Sequence, residues 1–271
     1  MDTFGLVLGS GHIGKIHQRH LESLGVKCVC VDGRESCRGM LRESKISAFD
    51  FVLVATPASS HFEYAKRALE LGKNVFVEKP LATSSADAES LVSLAKKKER
   101  LLFVGHSERF NPAFERFQKT FCREILCGIL KSVDFIRHNR FSVRGRDVSA
   151  ALDIGVHDFE LFGELKRLAP DISWKDVAVN FDFSRDSAYE ERFICAKFER
   201  KDGSEFLYKE RMDAPLAAGE TDAIEKEQGE FLELSRLSPK ERSEKMMPAL
   251  ESAIFAIKMA ENYSTSPKSA K

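Results

Sequence analysis

The chain has 271 residues, 43% of them hydrophobic and 31% charged, with 42 basic and 42 acidic side chains. This is a globular composition with room for two modest domains, and the zero formal charge gives no reason to expect a nucleic-acid or membrane-surface partner. No apolar run approaches the roughly 20 residues of a bilayer span, and Met1-Asp2-Thr3-Phe4 leads straight into a strand-like run instead of a signal peptide.

The six cysteines, Cys28, Cys30, Cys37, Cys122, Cys127 and Cys195, form no C-x-x-C pair. We expect reduced, mostly buried thiols in a cytoplasmic protein, with neither a disulfide nor a zinc framework.

Phe4-Gly-Leu-Val-Leu8 is a continuous apolar run, the pattern of a strand buried on both faces. It feeds into Gly9-Ser10-Gly11-His12-Ile13-Gly14, after which Ile13, Ile16, His20 or Leu21, and Leu24 recur at helical spacing until Gly25. Alone, G-x-G-x-x-G is a weak signal; between a strand and a helix it reads as a dinucleotide loop. Gly9 permits the turn, Gly11 lets a pyrophosphate approach, Gly14 lets helix and strand lie close, and the helix N-terminus offers its N–H groups. The second strand, Cys28 to Val31, ends at Asp32, placed to bond the ribose hydroxyls and disfavour a 2′-phosphate. That favours NAD over NADP, although Arg34 just beyond is suited to pairing with a 2′-phosphate.

Between Gly33 and Asp50 there is room for one helix, around Cys37 to Glu43. Phe51 to Ala55 is the third strand, closed by Thr56-Pro57, and His61 leads a helix carrying Phe62, Ala65, Ala68 and Leu69. Asn74 to Val77 is the fourth, ending in Glu78-Lys79-Pro80. A lysine there sits where open α/β sheets bind ligands, and Pro80 restrains its backbone. A helix capped by Ser84 or Ser85 and the strand Leu101 to Val104 complete a parallel, doubly wound sheet.

The pattern changes after Pro112. Ala113 to Phe121 reads as a helix, Ile129 to Ile136 as a strand, and Arg137, His138, Arg140, Arg144 and Arg146 follow within ten residues. Such a run is either a solvated loop or a diphosphate site built from arginine forks. Ala150 to Leu168 reads as a helix with Asp153 and His157 one turn apart on one face. The pair also fits a metal, but no third ligand has fitting spacing. Val177 to Phe183, Arg192 to Phe198 and Glu205 to Lys209 read as wide antiparallel strands, the last two joined by an Asp202-Gly203 turn. Two helices follow, Ile224 to Leu237 and Pro239 to Tyr263. The expected fold is α/β: a Rossmann domain over residues 1–106, and an α+β domain with an open, mostly antiparallel sheet over 107–271.

In order, the Gly9 to Gly14 loop, Ala55-Thr-Pro57 with His61, Glu78-Lys-Pro80, Gly105-His-Ser-Glu-Arg-Phe-Asn-Pro112 and Leu152-Asp-Ile-Gly-Val-His-Asp158 resemble the motifs of the Gfo/Idh/MocA oxidoreductases. Gly105 to Pro112 and the stretch through Asp158 are most similar to the UDP-N-acetylglucosamine 3-dehydrogenase branch. The resemblance implies oxidation of a ring hydroxyl of a sugar nucleotide by NAD, with NADP not excluded. His157 or Lys79 would be the acid/base, and Asp153 would orient the substrate or tune its neighbours. Thr56, Pro57, His61, Glu78, Lys79 and Pro80 would line the nicotinamide side. Arg109, Asn111, Arg140, Arg144, Lys79, Asp153 and His157 would meet the substrate. It implies no metal, and a homodimer or homotetramer joined through the C-terminal sheet. The chain is shorter than is common in the family, between Asp32 and Asp50 and again in the second domain. A myo-inositol or free-sugar dehydrogenase, or a non-catalytic NAD-binding regulator, are the alternatives; the regulator should have lost Lys79, Asp153 or His157, and all three are present.

Overall fold

A computed structural model of the chain describes residues 3–143 and 145–265. The first half alternates β1 (Phe4–Leu8), α1 (His12–Ser23), β2 (Lys27–Val31), α2 (Arg34–Met40), α3 (Glu43–Ile46), β3 (Phe51–Val54), α4 (His61–Glu70), β4 (Asn74–Glu78), α5 (Ser85–Lys98) and β5 (Leu102–Gly105). All strand pairs are parallel, in the order β2-β1-β3-β4-β5. Leu6 to Leu8, Phe51 to Val54 and Val75 to Val77 are almost fully buried, as their unbroken apolar runs require for a sheet covered on both faces. The single helix expected near Cys37 is two short ones, α2 and α3, with no strand described between them, so β2 is a sheet edge.

The second half holds α6 (Pro112–Cys127), β6 (Gly128–Arg140), α7 (Val156–Leu168), β7 (Ala178–Ser187), β8 (Glu191–Arg200), β9 (Glu205–Arg211), α8 (Ala223–Ser235) and α9 (Pro239–Thr265). Its sheet runs β7-β6-β8-β9. The β6–β8 and β8–β9 pairs are antiparallel, and Gly203 turns the hairpin with φ +80°. The sheet is mostly antiparallel, as expected, with β6–β7 the one parallel pair described. The reason is α7: a helix between two strands carries the chain back to the starting end, the crossover that parallel pairing needs. One face of this sheet closes over Phe114, Phe117, Phe121, Phe162 and Leu165.

The boundary at 106/107 does not separate the two cores. Phe231, Leu232 and Leu234 of α8 and Met246, Leu250 and Ile257 of α9 belong to the core of the first sheet. Phe231 stands edge-on to Phe51, Phe76 and Phe103 at 5.1, 5.6 and 5.8 Å. Glu261 of α9 accepts from the Ser85 backbone N–H at 2.7 Å and hydroxyl at 2.8 Å, at the start of α5, while Ser84 is the cap proper. All six cysteines are free; Cys37 and Cys195 are buried, three are half-buried and Cys127 is exposed, fewer buried than expected. Among the described residues no helix is long and apolar enough to cross a membrane.

Candidate active site

The carboxyl ends of the first sheet's strands and the loop after β6 enclose a cleft of about 650 Å³. At its β1 end Gly9 has φ +102°. A Cβ on Gly9 would strike the Ala55 carbonyl, and one on Gly14 the Gly9 carbonyl, whereas Gly11 faces open space. Gly11 precedes α1 without a side-chain cap, so the first N–H groups of the helix are free to meet an anion. His12 and Ile13 line the cleft. Next along, Asp32 accepts from the Ser10 hydroxyl at 2.7 Å and the Gly33 N–H at 2.8 Å. The Ser10 bond first and the Gly33 bond second hold its carboxyl below the usual range, an anion where a ribose would lie. Arg34 opens α2 and is exposed. These residues fit the pyrophosphate and ribose of a dinucleotide.

Past β3, Thr56, Pro57 and His61 line the cleft. The buried His61 ring has Nδ1 2.7 Å from the Pro80 carbonyl and Nε2 2.8 Å from that of Thr56. Burial lowers its pKa, and a neutral ring donates to only one of the two. At the end of β4, Lys79 Nζ donates to the Asp153 carbonyl at 2.5 Å and lies 3.3 Å from its carboxylate. Glu78 accepts from the Lys79 N–H at 3.1 Å and meets His17 Nε2 at 2.5 Å.

Asp153 lies in a π-helical turn, Ala151–Gly155, that precedes α7. The expected uniform helix over 150–168 is therefore widened here. Asp153 and His157 nonetheless face the same cleft as Lys79, and π-turns inside helices are frequent at functional sites. Burial, then the charges of Lys79 and Arg137, hold the His157 imidazole well below its ordinary pKa, so the ring is uncharged at neutral pH. Burial lowers the pKa of His106, just past β5, to about 3. Over the top, Asp147 accepts from the Ser59 N–H at 3.0 Å. Arg185 donates to the Gly145 and Val148 carbonyls at 2.8 and 3.0 Å and stands 3.8 Å from the Asp153 carboxylate. Among the described residues no group of three or more His, Cys, Asp or Glu is arranged to hold a metal.

Residues 12–106 match the oxidoreductase family with an NAD-binding Rossmann fold. Over that stretch the chain is similar to the Gfo/Idh/MocA family. UDP-N-acetylglucosamine 3-dehydrogenase of Acidithiobacillus ferrooxidans is 26% identical over 166 residues, 57% of this chain and 51% of that protein. A solved structure of that dehydrogenase superposes with TM-score 0.70 at 18% identity, covering 97% of this chain and 96% of that one, a likeness of fold. The scyllo-inositol 2-dehydrogenase (NAD(+)) of Bacillus subtilis is 32% identical over 125 residues, 40% of this chain and 36% of that protein. The chain thus spans about half the length of these relatives, or less.

Against the Gfo/Idh/MocA expectation, two substrate-side residues sit elsewhere. Arg109 faces Glu160 and Glu164 at 3.4 and 3.9 Å. Asn111 caps α6 through the Ala113 N–H at 2.9 Å and donates to Glu108 and the Met212 carbonyl, both at 2.9 Å. Both side chains are thus engaged inside the protein, where the turn before α6 needs satisfied polar groups. The basic run splits as well. Arg137 is buried against Asp158 and Glu108 at 2.8 and 2.7 Å. Arg140 is exposed at the end of β6, Arg146 lines the cleft, and Arg144 lies outside the described residues. The sequence reading missed Arg185, whose role depends on a strand register no local pattern reveals. It also missed His17, although His17 shares a helix face with Gly14 and Leu21.

Proposed function

We propose that the protein is an NAD-dependent dehydrogenase that oxidises a ring hydroxyl of a sugar nucleotide to a ketone, with UDP-N-acetylglucosamine at C3 the leading substrate. The observation that carries this reading is the Lys79 ammonium, held by Asp153 at the carboxyl end of β4 in the cleft that His157 also lines. The nicotinamide, when bound, supplies the hydride acceptor. Lys79 donates a hydrogen bond to the substrate oxygen and steadies the charge that develops there. His157, an uncharged imidazole, accepts the hydroxyl proton. Asp153 fixes the Lys79 ammonium through two oxygens, so the donor is oriented before the substrate arrives. Asp32 supports NAD over NADP by its charge.

The sugar-nucleotide part of the reading draws on the A. ferrooxidans relative and on a second cavity of about 490 Å³ that shares Arg146 with the cleft and adds Arg185, Ser149 and Ser184. Arginine forks and hydroxyls are suited to a diphosphate, which would have to displace the Asp186 carboxylate that now pairs with Arg146. Association of copies through the second sheet and a reducing, cytoplasmic setting for the six free thiols belong to the same proposal.

The test is a screen of the purified protein with NAD or NADP against UDP-N-acetylglucosamine, myo-inositol and free sugars, read by nicotinamide absorbance, with a coupled transaminase to draw off the ketone. Reduction of NAD with the sugar nucleotide alone is expected. Reduction with myo-inositol alone would replace the substrate, and tight cofactor binding without any reduction would replace the enzyme by a regulator. Lys79→Ala is expected to lower turnover at least a thousandfold while cofactor affinity stays within about threefold; normal turnover in that variant would overturn the assignment.

A further inference from the structure

Glu78 lines the cleft, yet the residues that hold it come from helices at opposite ends of the chain. His17 of α1 and Gln228 of α8 are both fully buried. The Gln228 side-chain nitrogen lies 2.6 Å from His17 Nδ1 and 3.1 Å from the His17 carbonyl oxygen. A carboxamide nitrogen only donates, and turning the amide over would set its oxygen against that carbonyl. Nδ1 therefore receives a hydrogen bond and carries the lone pair. The ring proton sits on Nε2 and is given to Glu78 Oε1 at 2.5 Å, while the Lys79 N–H occupies Oε2 at 3.1 Å. Apolar surfaces enclose the chain of contacts: the Phe76 ring stands edge-on to His17 at 5.1 Å, and Phe231 stands against Phe76.

We propose that His17 and Gln228 are positioning residues of the cofactor pocket, fixing the imidazole tautomer that orients Glu78 toward the bound nucleotide, so that α8 is part of the nucleotide site. The inference rests on the nucleotide-binding reading above and adds that residues more than two hundred positions downstream of the glycine loop set its affinity. Neighbouring Glu227 is buried and has no hydrogen-bond partner among the described residues. Burial, then the charge of Glu78, hold its pKa well above the ordinary glutamate value, while the Glu78 carboxylate faces the cleft. Without the His17 donor, Glu78 is free to turn toward the adjacent Lys79 ammonium and away from the nucleotide.

Three full-length variants test this. Gln228→Leu removes the amide at similar volume, His17→Phe removes the ring donor, and His17→Gln returns an N–H of similar reach. NADH affinity is read by fluorescence titration without substrate, folding by circular dichroism, and the His17 tautomer by ¹⁵N NMR of the unliganded protein. The expected results are an Nε2–H tautomer that Gln228→Leu abolishes or mixes, NADH affinity down about tenfold in Gln228→Leu and His17→Phe, and recovery to within about threefold in His17→Gln. An Nδ1–H tautomer in the native protein, or affinity within twofold of native in folded Gln228→Leu, would overturn the inference. Should His17→Phe fail to fold, the Gln228→Leu titration and the spectrum decide. Failure of the native protein to bind NADH or NADPH would instead sink the nucleotide-binding reading.

Discussion

Glu227 and Glu160 are fully buried carboxyl groups whose oxygens make no hydrogen bond among the described residues. Burial holds both well above the ordinary glutamate pKa, so they stay protonated in the folded protein. In the unfolded chain they ionise above about pH 4.5, so the folded state binds more protons, and stability falls as pH rises until the buried groups themselves ionise. Replacing Glu227 by Gln removes one titrating group. Urea unfolding at pH 5, 6.5 and 8 is expected to show the variant gaining on the native protein by up to about 1.4 kcal/mol per pH unit; a constant difference would refute protonated burial. At this scale the sequence was legible where chemistry demands a residue at a fixed place. The strand end that carries Lys79 and the helix face that carries Asp153 and His157 could be read, and all three residues line one cleft. Arg109 and Asn111 fit a substrate equally well on paper, and only the packed structure shows that Glu160, Glu164 and the α6 cap engage them. His17 was passed over in the sequence, although it lies on the same buried helix face as Gly14 and Leu21.

Among the elements, β4 carries most of the consequence. Its first residue, Asn74, accepts from Arg242 of α9 at 2.8 Å and from the Leu101 N–H at 3.1 Å, and its last leads into Lys79. The strands of the first sheet were readable because burial on both faces writes an apolar run. The second sheet was harder, since the β6–β7 direction depends on where α7 packs and not on any residue within either strand. Its outward face presents Leu207, 64% exposed, and the Lys209 ammonium lies over the Phe193 ring at 3.6 Å. This face is the proposed contact between copies. Leu207→Glu is expected to shift a sedimenting dimer or tetramer to smaller species without unfolding it; an unchanged distribution would assign the contact elsewhere.

For the whole molecule, α8 and α9 join two cores that the sequence assigned to separate domains. Helical periodicity showed that these helices exist, but not that Phe231, Leu250 and Ile257 cover the first sheet. Because α9 also packs along α7 through Gly163, where a Cβ would press on Phe255 and Ser252, the two halves are expected to unfold in one transition. Phe231→Ala should cost about 3–5 kcal/mol and lower the midpoint of the entire unfolding curve, whether read by near-ultraviolet circular dichroism or by NADH binding; two separated transitions would show independent halves. The covering helices also matter to the order of synthesis. The five strands of the nucleotide sheet leave the ribosome first, and Phe231 follows the end of β5 by 126 residues. At about 5–20 residues per second, the rings of Phe51, Phe76 and Phe103 wait roughly 6 to 25 s for their cover. During that interval the nascent chain presents an aromatic surface suited to a chaperone, and a ribosome stalled before α8 leaves a nucleotide sheet that cannot close.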